Sequence, residues 1–135
     1  MKFFRKHVFT LFALLLIATL SLMPSQEFPQ VNVRFADKWA HWVMYGFLTL
    51  VMGTEMILAE TKDKKKGKIK KTGGKAFGQI LLITVFSCFF GGLMELGQAY
   101  LTTSRHGDWL DVVANSFGAF CAFALLLLFR LVFKR

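Results

Sequence analysis

Four long apolar stretches, separated by short polar segments, limit what this chain can fold into. They cover residues 8 to 23, 37 to 59, 76 to 100 and 109 to 132. A helix needs about 20 mostly apolar residues to span a membrane, and the alternating strands of a membrane barrel are absent from this sequence. We therefore predict an all-α, polytopic membrane protein, with four transmembrane helices forming a single domain.

The composition supports a membrane location. Hydrophobic residues make up 55% of the 135 residues, although the formal net charge is +9. A soluble chain of this length could not bury so much apolar surface in one core. The first stretch could also be a secretory signal peptide, but no small-x-small cleavage site precedes Pro24, which favours a membrane helix. Cys88 and Cys121 fall within apolar stretches and are interpreted as packing residues.

Lysine and arginine are distributed unequally between the predicted sides of the membrane. The N-terminal tail, the loop from 60 to 75 and the C-terminal end hold three, eight and three of them, whereas the two outer loops hold two and one. Basic loops stay in the cytoplasm, so we predict that both termini and the lysine-rich loop are cytoplasmic. We expect the lysines from Lys62 to Lys75 to lie against anionic lipid, and without interleaved aromatic residues they are not expected to bind nucleic acid.

Polar side chains recur near the outer ends of three predicted helices. Such groups are costly in hydrocarbon, so each marks a candidate site. On the second helix they are four residues apart and share one face; on the third they occupy the last two turns, and on the fourth the first two. Three helices can therefore bring them together at one depth, in an outward-facing polar pocket. The predicted ligand-binding residues are Asp37, His41, Tyr45, Glu95, Gln98, Arg105, Asp108, Asp111 and Asn115.

Structural roles compete with binding for several charged residues. Asp37 and Asp108 directly precede predicted helices and could be N-caps. Glu95 could pair with Arg105 as a contact between helices. Arg105 could bind a phosphate group or only reach the membrane interface. We expect Glu55, near the inner end of the second helix, to reach a lysine of the loop.

A divalent cation is one candidate occupant of the pocket. His41, together with Asp37, Glu95 and Asp111, could form a carboxylate and imidazole set for such an ion. The spacing of these residues lacks a diagnostic motif such as H-E-x-x-H. The sequence therefore leads us to predict no metal site and no cofactor.

The polar residues, in their order along the chain, resemble the VanZ-like family of small bacterial membrane proteins. The resemblance rests on DKWAHWVMY from Asp37, on ELGQ from Glu95, and on RHGDWLDVVANSFG from Arg105. It implies a multi-pass protein of the bacterial cytoplasmic (inner) membrane. Some members of the family are associated with resistance to lipid-tailed glycopeptide antibiotics. A family alone does not assign a role, because one fold can host several functions.

Three functions fit these observations. The first is a non-enzymatic membrane protein that recognises a lipid-linked cell-envelope molecule or a lipoglycopeptide-type antibiotic, with a role in the envelope or in antibiotic tolerance. The second is a membrane enzyme acting on a polyprenyl or phospholipid head group, with Glu95 or Asp111 as general base and His41 as acid or ligand. The third is a non-catalytic membrane scaffold. Because no hydrolase or transferase signature is present, we expect the first.

Overall fold

Four α-helices make up the part of the chain that the computed structural model describes, namely residues 7–23, 35–67, 75–102 and 107–133. The helices are α1 (Val8–Leu22), α2 (Ala36–Lys65), α3 (Lys75–Leu101) and α4 (Trp109–Phe133). These ranges contain no strand, which confirms the all-α prediction. Three of the four helices, α2, α3 and α4, are long and apolar enough to cross a membrane, and α1 is a shorter apolar helix of 15 residues.

Helix α2 runs farther than the sequence predicted. Its apolar stretch ends near residue 59, but the helix continues to Lys65. Hydropathy marks where a helix leaves the hydrocarbon and not where it ends, and the Glu and Lys residues that follow are good helix formers. Glu60 and Lys64, one turn apart, form an ion pair of 3.2 Å on this extension. Residues 68 to 74 of the predicted loop lie outside the described residues, and its contact with anionic lipid stays a prediction.

The closest approach between helices is that of α2 and α4, which share the most extensive contact in the described bundle. A Cβ atom added to Gly46 would lie 3.2 Å from the carbonyl oxygen of Gly118, and one added to Gly118 would overlap the carbonyl oxygen of Trp42. Glycine at both positions lets the two backbones touch. Gly46 of α2 contacts Gly118 of α4, and farther along both helices Glu60 contacts Arg130. The residue numbers therefore rise in the same direction, and α2 and α4 run parallel.

The bundle keeps polar groups inside and presents apolar groups outside. Large side chains such as Phe47, Leu82 and Phe117 are more than half exposed, as expected for helices that face lipid. The small apolar core lies between α1 and α2 and includes Ile17 and Leu48. Buried apolar residues such as Ile80 and Leu126 lie between the other helices, and several buried polar side chains lie near the outer ends of the long helices. The orientation of the termini toward the cytoplasm stays a prediction from the loop charges.

Candidate functional site

A cluster of charged and polar side chains lies inside the bundle where the first turns of α2 and α4 meet the last turns of α3. Four of its members, one or two from each helix, are between 0% and 5% exposed, namely His41, Glu95, Asp111 and Asn115. The remaining members lie at the rim of the bundle. We call this set the outer cluster, and it consists of Asp37, Lys38, His41, Glu95, Asp108, Asp111 and Asn115.

The imidazole of His41 occupies the centre of the outer cluster. Its Nδ1 lies 3.0 Å from Oδ1 of Asn115. An amide oxygen only accepts hydrogen bonds, so Nδ1 carries the hydrogen and donates it. When the ring is neutral, Nε2 is the nitrogen with a free lone pair, and this atom lies 3.9 Å from Oδ1 of Asp37 and 3.8 Å from Oδ2 of Asp111. Both distances exceed hydrogen-bonding range, so three electron-pair donors face a common space.

The ligand atoms of Asp37, His41 and Asp111 lie within 4.8 Å of one another. Around a small divalent cation with bonds of about 2.1 Å, neighbouring ligand atoms are about 3.0 Å apart and opposite ones about 4.2 Å. The observed spacings of 3.8 and 3.9 Å to Nε2 are close to that range. Small side-chain adjustments would therefore bring the three atoms onto one ion.

Lys38 is a member of the outer cluster that the sequence did not assign to the site. Its Nζ lies 2.5 Å from Oδ1 of Asp111, 2.7 Å from Oδ2 of Asp108 and 3.8 Å from Oδ2 of Asp37. From the sequence alone, Lys38 is one of the basic residues of an outer loop. Its spacing of three residues from His41 could have identified it, because residues three apart share a helix face.

Asp108 connects three parts of the site. Its Oδ1 accepts a hydrogen bond of 2.9 Å from the N–H of Leu110, so Asp108 is the N-cap of α4, one of the two roles considered for it from the sequence. Its own N–H donates to Oε2 of Glu95 at 3.2 Å. The ammonium of Lys38 and the N–H of Leu110 hold the pKa of Asp108 below its ordinary value. The N-cap role considered for Asp37 was wrong, because α2 begins one residue earlier, at Ala36.

Buried atoms of the outer cluster that lack a hydrogen-bond partner among the described residues include Oε1 of Glu95 and Nδ2 of Asn115. The ring nitrogen nearest to Oε1 is Nδ1 of His41, at 3.4 Å, and that nitrogen already donates to Asn115. Leaving a buried polar atom unpaired costs about 1–3 kcal/mol. With its carboxylates ionised, the cluster also holds four negative charges against the single ammonium of Lys38. The unpaired Oε1 of Glu95 and the excess of acids favour the arrival of a cation, whereas the amide nitrogen of Asn115 is a hydrogen-bond donor and does not.

The other predicted site residues lie at the edge of this cluster or outside it. Tyr45 is one turn deeper in α2, and its ring stacks with that of His41 at a centroid distance of 6.5 Å. Gln98 donates from Nε2 to the carbonyl oxygen of Ser21 at 2.9 Å, so it holds α1 and not the cluster. Arg105 falls outside the described residues, and so does its proposed pairing with Glu95. Binding by the predicted residues as a set stays a prediction.

A cavity of about 490 Å³ opens between α3 and α4 beside the cluster. Its walls are mostly apolar and include Phe89, Leu93 and Trp109, while Glu95 and Asp108 supply the charged groups. Glu95 therefore belongs both to the outer cluster and to the wall of this cavity.

A second set of charged side chains lies at the opposite ends of the helices, and we call it the inner pairs. Glu55 accepts hydrogen bonds from the N–H of Phe9 at 2.9 Å and the hydroxyl of Thr10 at 2.7 Å. The expectation that Glu55 reaches a loop lysine was therefore wrong, because the first turn of α1 supplies its donors. Glu60 pairs with Arg130 at 2.6 Å and with a lysine of its own helix.

Comparison with known proteins gives one informative similarity. No protein-family model and no solved structure matches the chain. A protein of Pseudomonas syringae pv. tomato named "Putative manganese efflux pump MntP" is 34% identical over 73 residues. The match covers 53% of this chain and 37% of that protein, so the chain spans little more than a third of the length of the relative it matches.

This similarity contradicts the resemblance to the VanZ-like family, because it points to a different family of membrane proteins. The predicted recognition of an envelope lipid or a lipoglycopeptide was therefore wrong, and the enzyme and scaffold alternatives have no support either. The motifs behind that resemblance are short, and acids, histidines and amides at helix ends recur wherever polar groups must be buried in lipid. The apolar helices and the bacterial relative do confirm a multi-pass protein of the bacterial inner membrane.

Proposed function

We propose that the outer cluster binds a divalent transition-metal cation, Mn²⁺ in the first instance, and that this ion is cargo moved across the membrane. The observation that carries the proposal is the convergence of Nε2 of His41 with carboxylate oxygens of Asp37 and Asp111. The relative that matches part of the chain is named as a manganese efflux pump, which supports both the choice of ion and export as the direction of transport.

The ligand types agree with this class of ion. Carboxylate oxygen suits Mn²⁺, and imidazole suits several other first-row divalent ions, whereas soft thiolate ligands select copper and zinc. Neither Cys88 nor Cys121 belongs to the outer cluster, and both are half-buried elsewhere in the bundle. The proposal departs from the prediction made from the sequence, which assigned no metal because a contiguous motif was missing.

The surroundings of His41 also suit a metal ligand. A ligating histidine usually donates its other ring N–H to an oxygen, which fixes the tautomer and the ring orientation. The hydrogen bond of 3.0 Å from Nδ1 to Asn115 serves this purpose and aims Nε2 at the two aspartates.

The position of the ligands suits uptake and release of an ion. The side chain of Asp37 is 53% exposed, whereas that of Asp111 is 4% exposed. If the cluster faces outward, an exported ion would therefore pass Asp37 last and exchange protein ligands for water there. A buried site inside a membrane bundle is where a transported ion has to be held after it loses its hydration shell.

The binding part of the proposal is tested with full-length protein in lipid nanodiscs. Titration with Mn²⁺, followed by electron paramagnetic resonance of the free ion, should show saturable binding. His41→Gln should lose that binding, because it removes the ring nitrogen Nε2 that faces Asp37 and Asp111. His7→Gln is the matched control, since His7 lies beside Glu55 among the inner pairs and its loss should leave binding unchanged. Equal binding by His41→Gln and the unaltered protein would reject the site.

The transport part has its own measurement. Cells that lack their manganese exporter and express this protein should retain less manganese than cells expressing His41→Gln. Binding in nanodiscs without any change in cellular manganese would reject transport and leave the binding site in place.

A further inference from the structure

Lys38 places a cation of the chain itself among the carboxylates of the outer cluster. Its ammonium lies 2.5 Å from Asp111, 2.7 Å from Asp108 and 3.8 Å from Asp37. Two of these three acids belong to the set proposed to bind the divalent cation, and Asp108 does not. The Lys38 side chain is 22% exposed, so it keeps a path to water.

The ammonium and a bound divalent ion would use the same carboxylate. Lys38 contacts Oδ1 of Asp111, whereas Nε2 of His41 faces Oδ2. The two oxygens share one carbon atom, so an ion bound to Oδ2 would lie within about 5 Å of the ammonium, where like charges repel strongly. Both cations cannot keep their best positions at the same time.

We propose that Lys38 is the resident counter-ion of the ion-free site and that a divalent cation displaces it from Asp111 toward Asp108. This inference rests on the proposed function, because it describes how the same site changes between its two states. Asp108 is suited to receive the ammonium, since its N-cap bond to Leu110 and its N–H bond to Glu95 hold it in place. Asp111 thereby exchanges the ammonium for the divalent cation, while Lys38 stays paired with Asp108.

A purely structural role for Lys38 predicts the opposite result. If the ammonium served only to position Asp111, its removal would leave that carboxylate misplaced and weaken cation binding. If it is a displaced counter-ion, its removal takes away a competitor and strengthens binding. The sign of the change in affinity therefore separates the two roles.

The test compares Mn²⁺ binding by Lys38→Met, Lys38→Arg and the unaltered protein in nanodiscs. We expect the Kd of Lys38→Met to fall by about tenfold or more, because a positive charge next to the ion is lost. Stopped-flow release of Mn²⁺ should slow in the same variant. Lys38→Arg keeps the charge and should bind about as the unaltered protein does. Lys64→Met is the matched control, because Lys64 pairs with Glu60 at the other end of α2, and its Kd should not change.

Each result decides something. An unchanged or raised Kd in Lys38→Met, with Mn²⁺ still bound by the unaltered protein, overturns the counter-ion role and leaves the proposed function standing. If neither the unaltered protein nor Lys38→Met shows saturable binding of Mn²⁺, the counter-ion role and the proposed function are both overturned. If Lys38→Met fails to fold, Lys38→Gln provides the same comparison with a polar side chain that needs no neutralising partner.

Discussion

The outer cluster and the inner pairs bury similar side chains but satisfy them differently. At the inner end, Glu55 receives donors from α1 and Glu60 is paired with Arg130. At the outer end, one ammonium, that of Lys38, contacts three of the four acids. Buried atoms without a hydrogen-bond partner among the described residues occur at both ends, on Glu95 and Asn115 in the outer cluster and on Arg130 in the inner pairs. The two ends therefore differ in their balance of charge, because ionisable groups that only hold helices together are normally paired with one another. This difference is the one expected if the inner end is structural and the outer end binds a cation, as proposed.

The largest expected effect is that of Asp111→Asn on cation binding. The substitution removes an anionic ligand, and we expect Mn²⁺ affinity to fall by about 100-fold or more. Thermal stability should change little, because the substitution also relieves repulsion among the acids while Lys38 keeps Asp108. Isothermal titration and thermal unfolding in nanodiscs measure the two quantities. Asp63→Asn, on the extension of α2, is the control. A large loss of stability together with unchanged affinity would make the outer cluster structural as well.

Glu55→Ala should have the reverse pattern. It leaves the hydroxyl of Thr10 and the N–H of Phe9 without their acceptor, and we expect the free energy of unfolding to fall by about 2 kcal/mol. The Kd for Mn²⁺ should stay unchanged, because Glu55 lies at the other end of the bundle. Glu55→Gln retains an oxygen acceptor and should recover part of the stability. Weakened Mn²⁺ binding by Glu55→Ala in fully folded protein would end the distinction between the two ends.

Asn115→Ala should have the smallest of these effects, on Mn²⁺ affinity. It tests whether Asn115 orients the ring of His41 in the outer cluster. It removes the oxygen that fixes the tautomer of His41, and loss of such a partner weakens metal binding by about tenfold. Ser116→Ala is the neighbouring control, because the Ser116 hydroxyl bonds only within α4, to Val112. Titration of both variants with Mn²⁺ gives the comparison. Equal affinities would show that Asn115 does not orient the ring.

The sequence predicted the helices well because lipid imposes a simple rule on composition. Each apolar stretch became a helix, and the starts of all four helices agreed with the structure to within one residue. The end of α2 was missed because Glu60 to Lys65 are polar yet helical, and hydropathy does not report helix propensity. The partners of Glu55 were missed because they come from another helix, 45 and 46 residues away in sequence.

The site could be predicted in part. Spacing by four placed Asp37 and His41 on one face of α2, and the structure brings His41 together with Glu95, Asp111 and Asn115. Which nitrogen of His41 faces the acids could not be predicted, because it depends on a hydrogen bond between residues 74 positions apart. Lys38 was missed because a lysine next to an interface was counted as a loop charge, whereas its side chain turns inward to two acids of the α4 region.

The glycine contact between α2 and α4 has a mechanical consequence. Backbones that touch at Gly46 and Gly118 leave no space for one helix to slide past the other. Within the described bundle, we therefore expect the outer-cluster residues of these two helices to move together, whereas Glu95 belongs to α3. If the site opens during the proposed transport, we expect α3 to shift against this pair. In such a movement the packing around Glu95 would change, while the contact between the two glycines would stay.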